Sequence, residues 1–293
     1  MDMSSPNNLD PAKIEARLGR IARALEIMTG TPSIQAPEWA GADKFIWDAK
    51  IKTFRPVVNT SVIPPLSLLV GIDQQIDTIY QNTFQFAQGF SANNILLWGA
   101  RGMGKSAAVK AVQEAIRHDQ KLPLILIEIG RDDLKDMQLI LEKLWDEDQW
   151  RFILFCDDMS FEQADESYKS LKTVLDGGIG GRPPNVLFYA TSNRRHLMPN
   201  EDHGKDHLQQ QEGRHERISI SDRFGLWIGF HGCNQDEYLE MIDRYVDVYD
   251  LPVTPEQARE DALLWSKTRG SRTGRVAWQF ILDLAGRLNV KLY

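Results

Sequence analysis

The sequence predicts an α/β fold in which a parallel sheet is covered by helices and followed by a small C-terminal helical domain. Between residues 93 and 193, short and uniformly apolar segments typical of buried strands alternate with amphipathic helical segments. A glycine-rich segment joins the first of these strands directly to a helix. Beyond Phe230 the sequence has several helical patterns and no strand pattern.

The elements before the glycine-rich segment are predicted from caps, periodicity and alternation. After a short tail, Asp10 and Pro11 suit the start of a helix, and apolar residues then recur every three or four positions as far as Met28. This pattern predicts an amphipathic helix that packs on the chain's own core, with docking to a partner as the alternative. The segment KFIWDAKIKTFRPV predicts a short strand pair, and LVGIDQQIDTIYQNTFQFAQG predicts a helix.

The later elements follow in the order expected of a parallel sheet. LPLILIEIG, RFILFCDD and NVLFYATSN predict strands, and KDMQLILEKLWDE and DESYKSLKTVLDGG predict the helices between them.

A polar segment from Pro199 to Arg217, which contains His203 and His207, predicts a surface loop rather than a metal site. Three helices are predicted after it, with the sequences NQDEYLEMIDRYVDVY, TPEQAREDALLWSKT and GRVAWQFILDLAGRL. These patterns divide the chain into an N-terminal tail and helix (1–44), an α/β domain (45–233) and a helical domain (234–293).

Composition narrows the class of protein. Hydrophobic residues make up 42% of the chain and charged residues 26%, which is typical of a soluble globular protein. The sequence has neither a membrane-length apolar run nor a secretory signal, so we expect a cytoplasmic protein. A net charge of -7 argues against general nucleic-acid coating, although a local basic face stays possible. Cys156 lies in an apolar run and is predicted to be a buried thiol.

The glycine-rich segment has the chemistry to bind phosphates. GARGMGKS, which begins at Gly99, matches the pattern G-x-x-x-x-G-K-[ST], between a strand and a helix as the pattern requires. Backbone N–H groups of such a loop converge on phosphates, Lys105 neutralises their charge, and the Ser106 hydroxyl is a predicted Mg²⁺ ligand. The residues predicted to hold the nucleotide here are Gly99, Ala100, Arg101, Gly102, Met103, Gly104, Lys105, Ser106 and Ala107.

Two adjacent carboxylates end the strand RFILFC. Asp157 is placed to complete a Mg²⁺ shell with Ser106, and Asp158 to orient or deprotonate a water. A solvated turn is the alternative for such a pair, but the preceding phosphate loop and helix–strand unit favour the site.

The order of these motifs resembles that of the AAA+ ATPases. LLWGARGMGKS, FILFCDDMSFE, YATSNRRHL and SDRFGLWIGF are similar to segments of a bacterial family of AAA+-type P-loop ATPases catalogued as a domain of unknown function. The resemblance extends over roughly residues 45 to 290. It implies a P-loop NTPase that binds ATP and Mg²⁺ and assembles into a homo-oligomer, with the C-terminal helices as a lid.

The resemblance also assigns roles to single residues. Asn193 matches a sensor that positions the attacking water, Arg223 an arginine finger that reaches the neighbouring subunit, and Arg275 a second sensor on the lid. AAA+ proteins typically carry Glu where this chain has Asp158, and the shorter side chain implies slow turnover. The segment that matches the one beside adenine comprises Leu69, Val70, Gly71 and Ile72.

The resulting hypothesis is a slow Mg²⁺-dependent ATPase that acts as an oligomeric remodelling or assembly switch on an unknown protein client. One alternative is an ATP-dependent nucleic-acid loader or initiator-like module, which a steep salt dependence of DNA binding would reveal. Another is a scaffold that binds ATP without turnover. Peptide threading is disfavoured because IGRDDLKD lacks the aromatic–glycine pair of AAA+ pores.

Overall fold

A computed structural model of the chain describes residues 37–57, 64–159, 171–172, 175, 182–193 and 223–292. The predicted N-terminal helix and the loop from Pro199 to Arg217 lie outside the described residues. So does most of the predicted helix DESYKSLKTVLDGG, although the backbone is helical at Leu171, Lys172 and Leu175.

The described strands form one sheet that is parallel except at one edge. They follow one another across the sheet in the order β2-β1-β4-β5-β6-β3-β7, and only the β1–β2 pair among them is antiparallel. This arrangement confirms the predicted parallel sheet. The strands are β1 (Lys44–Asp48), β2 (Thr53–Pro56), β3 (Ile95–Gly99), β4 (Leu124–Glu128), β5 (Arg151–Cys156), β6 (Val186–Ser192) and β7 (Leu226–Phe230).

The two edges of the sheet differ in how well the sequence predicted them. The strand pair β1–β2 is confirmed, and β1 also joins the main sheet by pairing with β4. The edge strand β7 was not predicted, yet it pairs with β3 along its whole length, from Ile95 opposite Leu226 to Gly99 opposite Phe230. Gly229 interrupts its pattern, and a Cβ there would lie 2.9 Å from the Trp98 ring. The glycine makes room for that ring and weakens the strand signal.

Six α-helices accompany the sheet among the described residues, and every helix predicted within these residues is confirmed. The helix α2 continues into a π-helical turn at Ala115–Asp119. No helix in the described part of the chain is long and apolar enough to cross a membrane. The helices are α1 (Asp73–Ala87), α2 (Lys105–Glu114), α3 (Met137–Leu144), α4 (Gln235–Val248), α5 (Pro255–Arg269) and α6 (Gly274–Arg287).

Both faces of the sheet are buried because alternate residues of each strand point to opposite sides. In β4, Ile125 and Ile127 pack in the core beneath α3, whereas Leu124 and Leu126 pack in the core beneath α1 and α2. This double burial explains why the central strands have no polar face in the sequence.

A third core lies among α4, α5 and α6, around the fully buried Tyr238 and Phe280. The segment before α1 joins it to the sheet, since Leu68 and Val70 pack in this core while Leu69 and Ile72 pack in the core beneath α1 and α2. Cys233 touches both cores, and the division of the chain at residues 233 and 234 stays a prediction.

The packing of the two cysteines predicts their reactivity. Burial raises the pKa of both thiols, that of Cys156 to about 12, but Cys233 is only half-buried, and its Sγ donates to the Arg272 carbonyl at 3.1 Å. We expect one thiol of the native protein to react with a disulfide reagent, and both to react after unfolding. A Cys233→Ser variant should lose the native reaction. Two reactive thiols in the native state would contradict the packing around Cys156.

Candidate functional site

The site begins where three neighbouring parallel strands end at the same edge of the sheet. β6 lies between β3 and β5. The phosphate-loop sequence follows β3, the two carboxylates follow β5, and Asn193 follows β6. Residues far apart in sequence are therefore brought together by strand pairing alone.

Backbone geometry at the start and middle of the loop requires glycine. Gly99 has a φ of +128°, and a Cβ there would lie 1.9 Å from the carbonyl oxygen of Phe230 on the neighbouring strand. Gly102 has a φ of +75°, and a Cβ there would lie 3.0 Å from the Thr273 hydroxyl. Because Ala100 N–H donates to the Phe230 carbonyl at 3.0 Å, the loop is tied to β7 as it leaves the sheet.

The Lys105 side chain is drawn into the loop. Its Nζ donates to the carbonyls of Gly99 at 2.9 Å and Ala100 at 2.8 Å, and to Oδ1 of Asn193 at 3.3 Å. Burial lowers the pKa of this amine, and the charges of Asp157 and Asp158 oppose the shift. The cation is thus held by neutral oxygens that a phosphate group could replace.

Asp157 is the centre of a compact hydrogen-bond network. Its Oδ1 accepts from the Ser106 hydroxyl at 2.6 Å, the Thr191 hydroxyl at 2.5 Å and the Asp158 N–H at 3.2 Å. Thr191 is buried, and its hydroxyl also accepts from the Asp158 N–H at 2.8 Å. Ser106 and Asp157, the two predicted Mg²⁺ ligands, are therefore within hydrogen-bond distance of each other.

Asp158 is held in an unusual backbone conformation. Its φ is +53°, in the left-handed region that non-glycine residues rarely occupy. Its Oδ1 accepts from the Asn193 amide, and its Oδ2 lies 3.9 Å from the Arg101 guanidinium. Asn193 thus joins Lys105 to Asp158, because its oxygen faces the cation and its amide faces the carboxylate.

The third helix of the C-terminal group contacts the phosphate loop directly. The backbone N–H of Arg275, in the first turn of α6, donates to the Gly102 carbonyl at 3.0 Å. Thr273 caps this helix by accepting from the Val276 N–H. A Cβ on Gly274 would lie 3.2 Å from the same Gly102 carbonyl, so glycine at both positions permits the close approach.

These residues line a cavity of about 570 Å³ that has one polar end and one apolar end. The polar end consists of the phosphate loop, the two carboxylates, Thr191 and Asn193. Apolar and aromatic side chains from the segment before α1 and from α4 and α6 form the other end. They are Leu68, Leu69, Val70, Ile72, Met241, Tyr245, Tyr249 and Trp278.

Most of the residues predicted from the sequence line this cavity. Gly71 and Ala100 adjoin lining residues in the chain, and Gly99 lies two residues before Arg101, but none of these three lines the cavity. Arg223 lies apart, before the start of β7. Their roles stay predictions. The predicted residues that line it are Leu69, Val70, Ile72, Arg101, Gly102, Met103, Gly104, Lys105, Ser106, Ala107, Asp157, Asp158, Asn193 and Arg275.

Sequence reasoning missed Thr191 and the aromatic wall. Thr191 lies on the buried strand β6, two residues before Asn193, which follows the strand, so strand alternation was a usable signal for its position. Tyr245 lies in the last turn of α4 and Tyr249 caps its end four residues later, and their rings stack at a centroid distance of 6.4 Å. Trp278 lies 5.4 Å from Tyr245, a contact between helices that periodicity does not reveal.

Comparison with known proteins identifies the family and the fold. A family model described as "Protein of unknown function (DUF815)" matches residues 40–288. The comparison with curated proteins gives no significant match.

Among solved structures, the chain is similar to the Aeropyrum pernix ORC1 protein in complex with DNA, at 12% identity and a TM-score of 0.53. That match covers 78% of this chain and 64% of the ORC1 chain. A second similar structure is the Thermotoga maritima RuvB Holliday junction branch migration motor, at 14% identity and a TM-score of 0.46, covering 78% of this chain and 74% of that chain. The fold is that of the AAA+ P-loop ATPases, with a mostly parallel sheet and helices, which confirms the resemblance.

The bonds of Thr191 predict the effect of removing its hydroxyl. Thr191→Val preserves the shape but leaves the Asp158 N–H without this acceptor, and it takes one donor from Asp157. We expect a loss of about 1–3 kcal/mol in the free energy of unfolding, measured with urea. Thr191→Ser keeps the hydroxyl and should lose about 1 kcal/mol for the missing methyl group. A valine variant as stable as the starting protein would show that these bonds contribute nothing.

Proposed function

Because the chain belongs to the DUF815 family and has the AAA+ fold, we propose that it is a slow, Mg²⁺-dependent ATPase. We propose further that it works as an oligomeric remodelling or assembly switch on a protein client. The observation that carries the proposal is one cavity lined by most of the phosphate loop, two carboxylates, a polar residue after a strand end and several apolar side chains. Its volume, about 570 Å³, is typical of cavities that bind small molecules and cofactors.

Charge at the polar end favours a polyphosphate. Lys105, Arg101 and Arg275 line the cavity together with two carboxylates, so three cations face two anions and leave an excess of one positive charge. The N-terminus of α2 adds its unpaired N–H groups. Ser106 and Asp157 would hold Mg²⁺, which supplies further positive charge to the phosphate oxygens when it is bound.

The apolar end suits a nucleobase. A flat, largely apolar heterocycle gains from contact with aromatic rings, and Tyr245, Tyr249 and Trp278 meet at centroid distances of 5.4 to 6.4 Å. Most of the segment Leu68–Ile72 also lines this end, and Leu68 and Val70 pack in the same core as Tyr245. This pairing of ends supports a nucleoside polyphosphate over inorganic phosphate as the ligand, and the AAA+ resemblance makes ATP the nucleotide we propose.

The position of Arg223 supports action between subunits. The phosphate loop leaves the sheet at the last residue of β3, and this residue pairs with the last residue of β7. Arg223, in contrast, precedes the first residue of β7. The length of β7, about 13 Å at roughly 3.3 Å per residue, therefore separates the arginine from its own phosphate loop. An arginine finger at this position would serve the nucleotide of a neighbouring subunit, which makes a homo-oligomer part of the proposal.

A second candidate function is an ATP-dependent nucleic-acid module. Lys267, Arg269 and Arg272 are all exposed where α5 ends and α6 begins, and they form a basic patch on an otherwise acidic chain. The similar ORC1 structure is a complex with DNA. At 12% identity this likeness shows the fold alone, so the ATPase switch remains the first proposal.

Removing the loop lysine tests nucleotide binding. Lys105→Ala should reduce the affinity for Mg-ATP at least about a hundredfold, because the cation that faces the terminal phosphates is lost. Calorimetry measures the affinity, and circular dichroism checks the fold. Lys110→Ala is the matched control, since that lysine lies on the same helix but pairs with Glu128 at 3.3 Å. Unchanged binding in the Lys105 variant would refute the proposal.

Mixing two inactive variants tests the role of Arg223. Lys105→Ala protomers lack the nucleotide site but keep the arginine, and Arg223→Ala protomers bind ATP but present no finger. Each should hydrolyse ATP about 10³- to 10⁵-fold more slowly than the starting protein. A mixture should recover part of the activity, and this recovery should fall on dilution. Variants that co-assemble but stay inactive would exclude a finger that acts between subunits.

A further inference from the structure

Arg101 holds a position in the phosphate loop that its sequence motif does not explain. The pattern G-x-x-x-x-G-K-[ST] leaves the residue at this place open, because only the backbone of the loop is needed to cradle phosphates. Here the residue is an arginine, and its guanidinium extends across the polar end of the cavity to within 3.9 Å of the Asp158 carboxylate.

Asp158 marks the side of the site where a terminal phosphate would lie. It is joined through the Asn193 amide to Lys105, the residue expected to contact the outermost phosphates. Ser106 and Asp157, the predicted Mg²⁺ ligands, are on the same side. The Arg101 guanidinium, which lies beside Asp158, is thus next to the expected position of the γ-phosphate.

The pair formed by Arg101 and Asp158 is suited to exchange. The side chain of Arg101 is 75% exposed and that of Asp158 is 63% exposed, and exposed ion pairs at such distances contribute little stability. A phosphate group offers more charge and a geometry that guanidinium groups bind in bidentate fashion. Leaving Asp158 for a γ-phosphate would also free the carboxylate from one of its two polar neighbours.

We propose that Arg101 is a specificity residue that binds the γ-phosphate of the nucleotide held by its own chain, and that it exchanges Asp158 for that phosphate. The chain would thereby distinguish a nucleoside triphosphate from a diphosphate before any neighbouring subunit contributes. This inference rests on the proposed function, since it requires a nucleotide in the cavity. It assigns the preference for a triphosphate to Arg101. Lys105, by contrast, would contact the phosphates of a diphosphate as well as those of a triphosphate.

The test compares two nucleotides on the full chain. The probes are Mg-ADP and the Mg complex of the ATP analogue whose β,γ-bridging oxygen is replaced by an imido group, and calorimetry gives both affinities. Arg101→Ala should lower the affinity for the triphosphate analogue about tenfold to a hundredfold, as expected for one lost bond between charged groups. Its affinity for Mg-ADP should change less than about threefold, which also shows that the variant is folded.

Two further variants sharpen the comparison. Arg101→Lys keeps the charge without the planar fork and should recover part of the preference. Arg55→Ala removes an exposed arginine from β2, at the edge of the sheet farthest from β3 and β7, and should leave both affinities unchanged.

The outcomes separate the two proposals. Equal losses for both nucleotides in Arg101→Ala, or no loss for either, would overturn the assignment of Arg101 while ATP binding stands. If the starting protein binds neither nucleotide, the proposed function itself is wrong.

Discussion

The parallel pairing of β6 between β3 and β5 is the constraint on which the rest of the site depends. It places the ends of three strands side by side, so that Asn193, Asp157 and the phosphate loop meet without any contact designed for that purpose. A one-residue slip of β6 would turn Thr191 to the other face of the sheet and separate it from both carboxylates. Close packing on both faces opposes such a slip, because each side chain would enter a space shaped for a different one.

The polar groups of the site form hydrogen bonds to one another. Asn193 accepts from Lys105 and donates to Asp158, and Thr191 joins the backbone of Asp158 to the side chain of Asp157. Lys105 and Thr191 are buried, and buried polar groups without partners are costly, so the internal pairing of these two side chains stabilises the fold. Any ligand must then offer stronger bonds than those it replaces, which favours a polyanion over a neutral molecule.

The fold was more predictable from the sequence than the site. Helical periodicity found α4, α5 and α6, and apolar runs found the central strands, because burial on both faces leaves a simple pattern. The edge strand β7 was not predicted, because Gly229, which makes room for the Trp98 ring, interrupts its apolar pattern. The loop motif pointed to Lys105 and Ser106, but Thr191 and the Tyr245–Trp278 contact depend on neighbours that are distant in sequence. Tertiary packing, rather than local preference, decides those positions.

The alternation of Leu68 and Val70 with Leu69 and Ile72 has a consequence for how the molecule responds to force or heat. These four side chains attach one short strip of backbone both to the core of the C-terminal helices and to the core beneath α1 and α2. That strip also forms a wall of the cavity. A ligand that packs on it would add cohesion between the two cores, because it is bonded to both at once. Ligand binding in the cavity should therefore stabilise the packing of the C-terminal helices against the sheet.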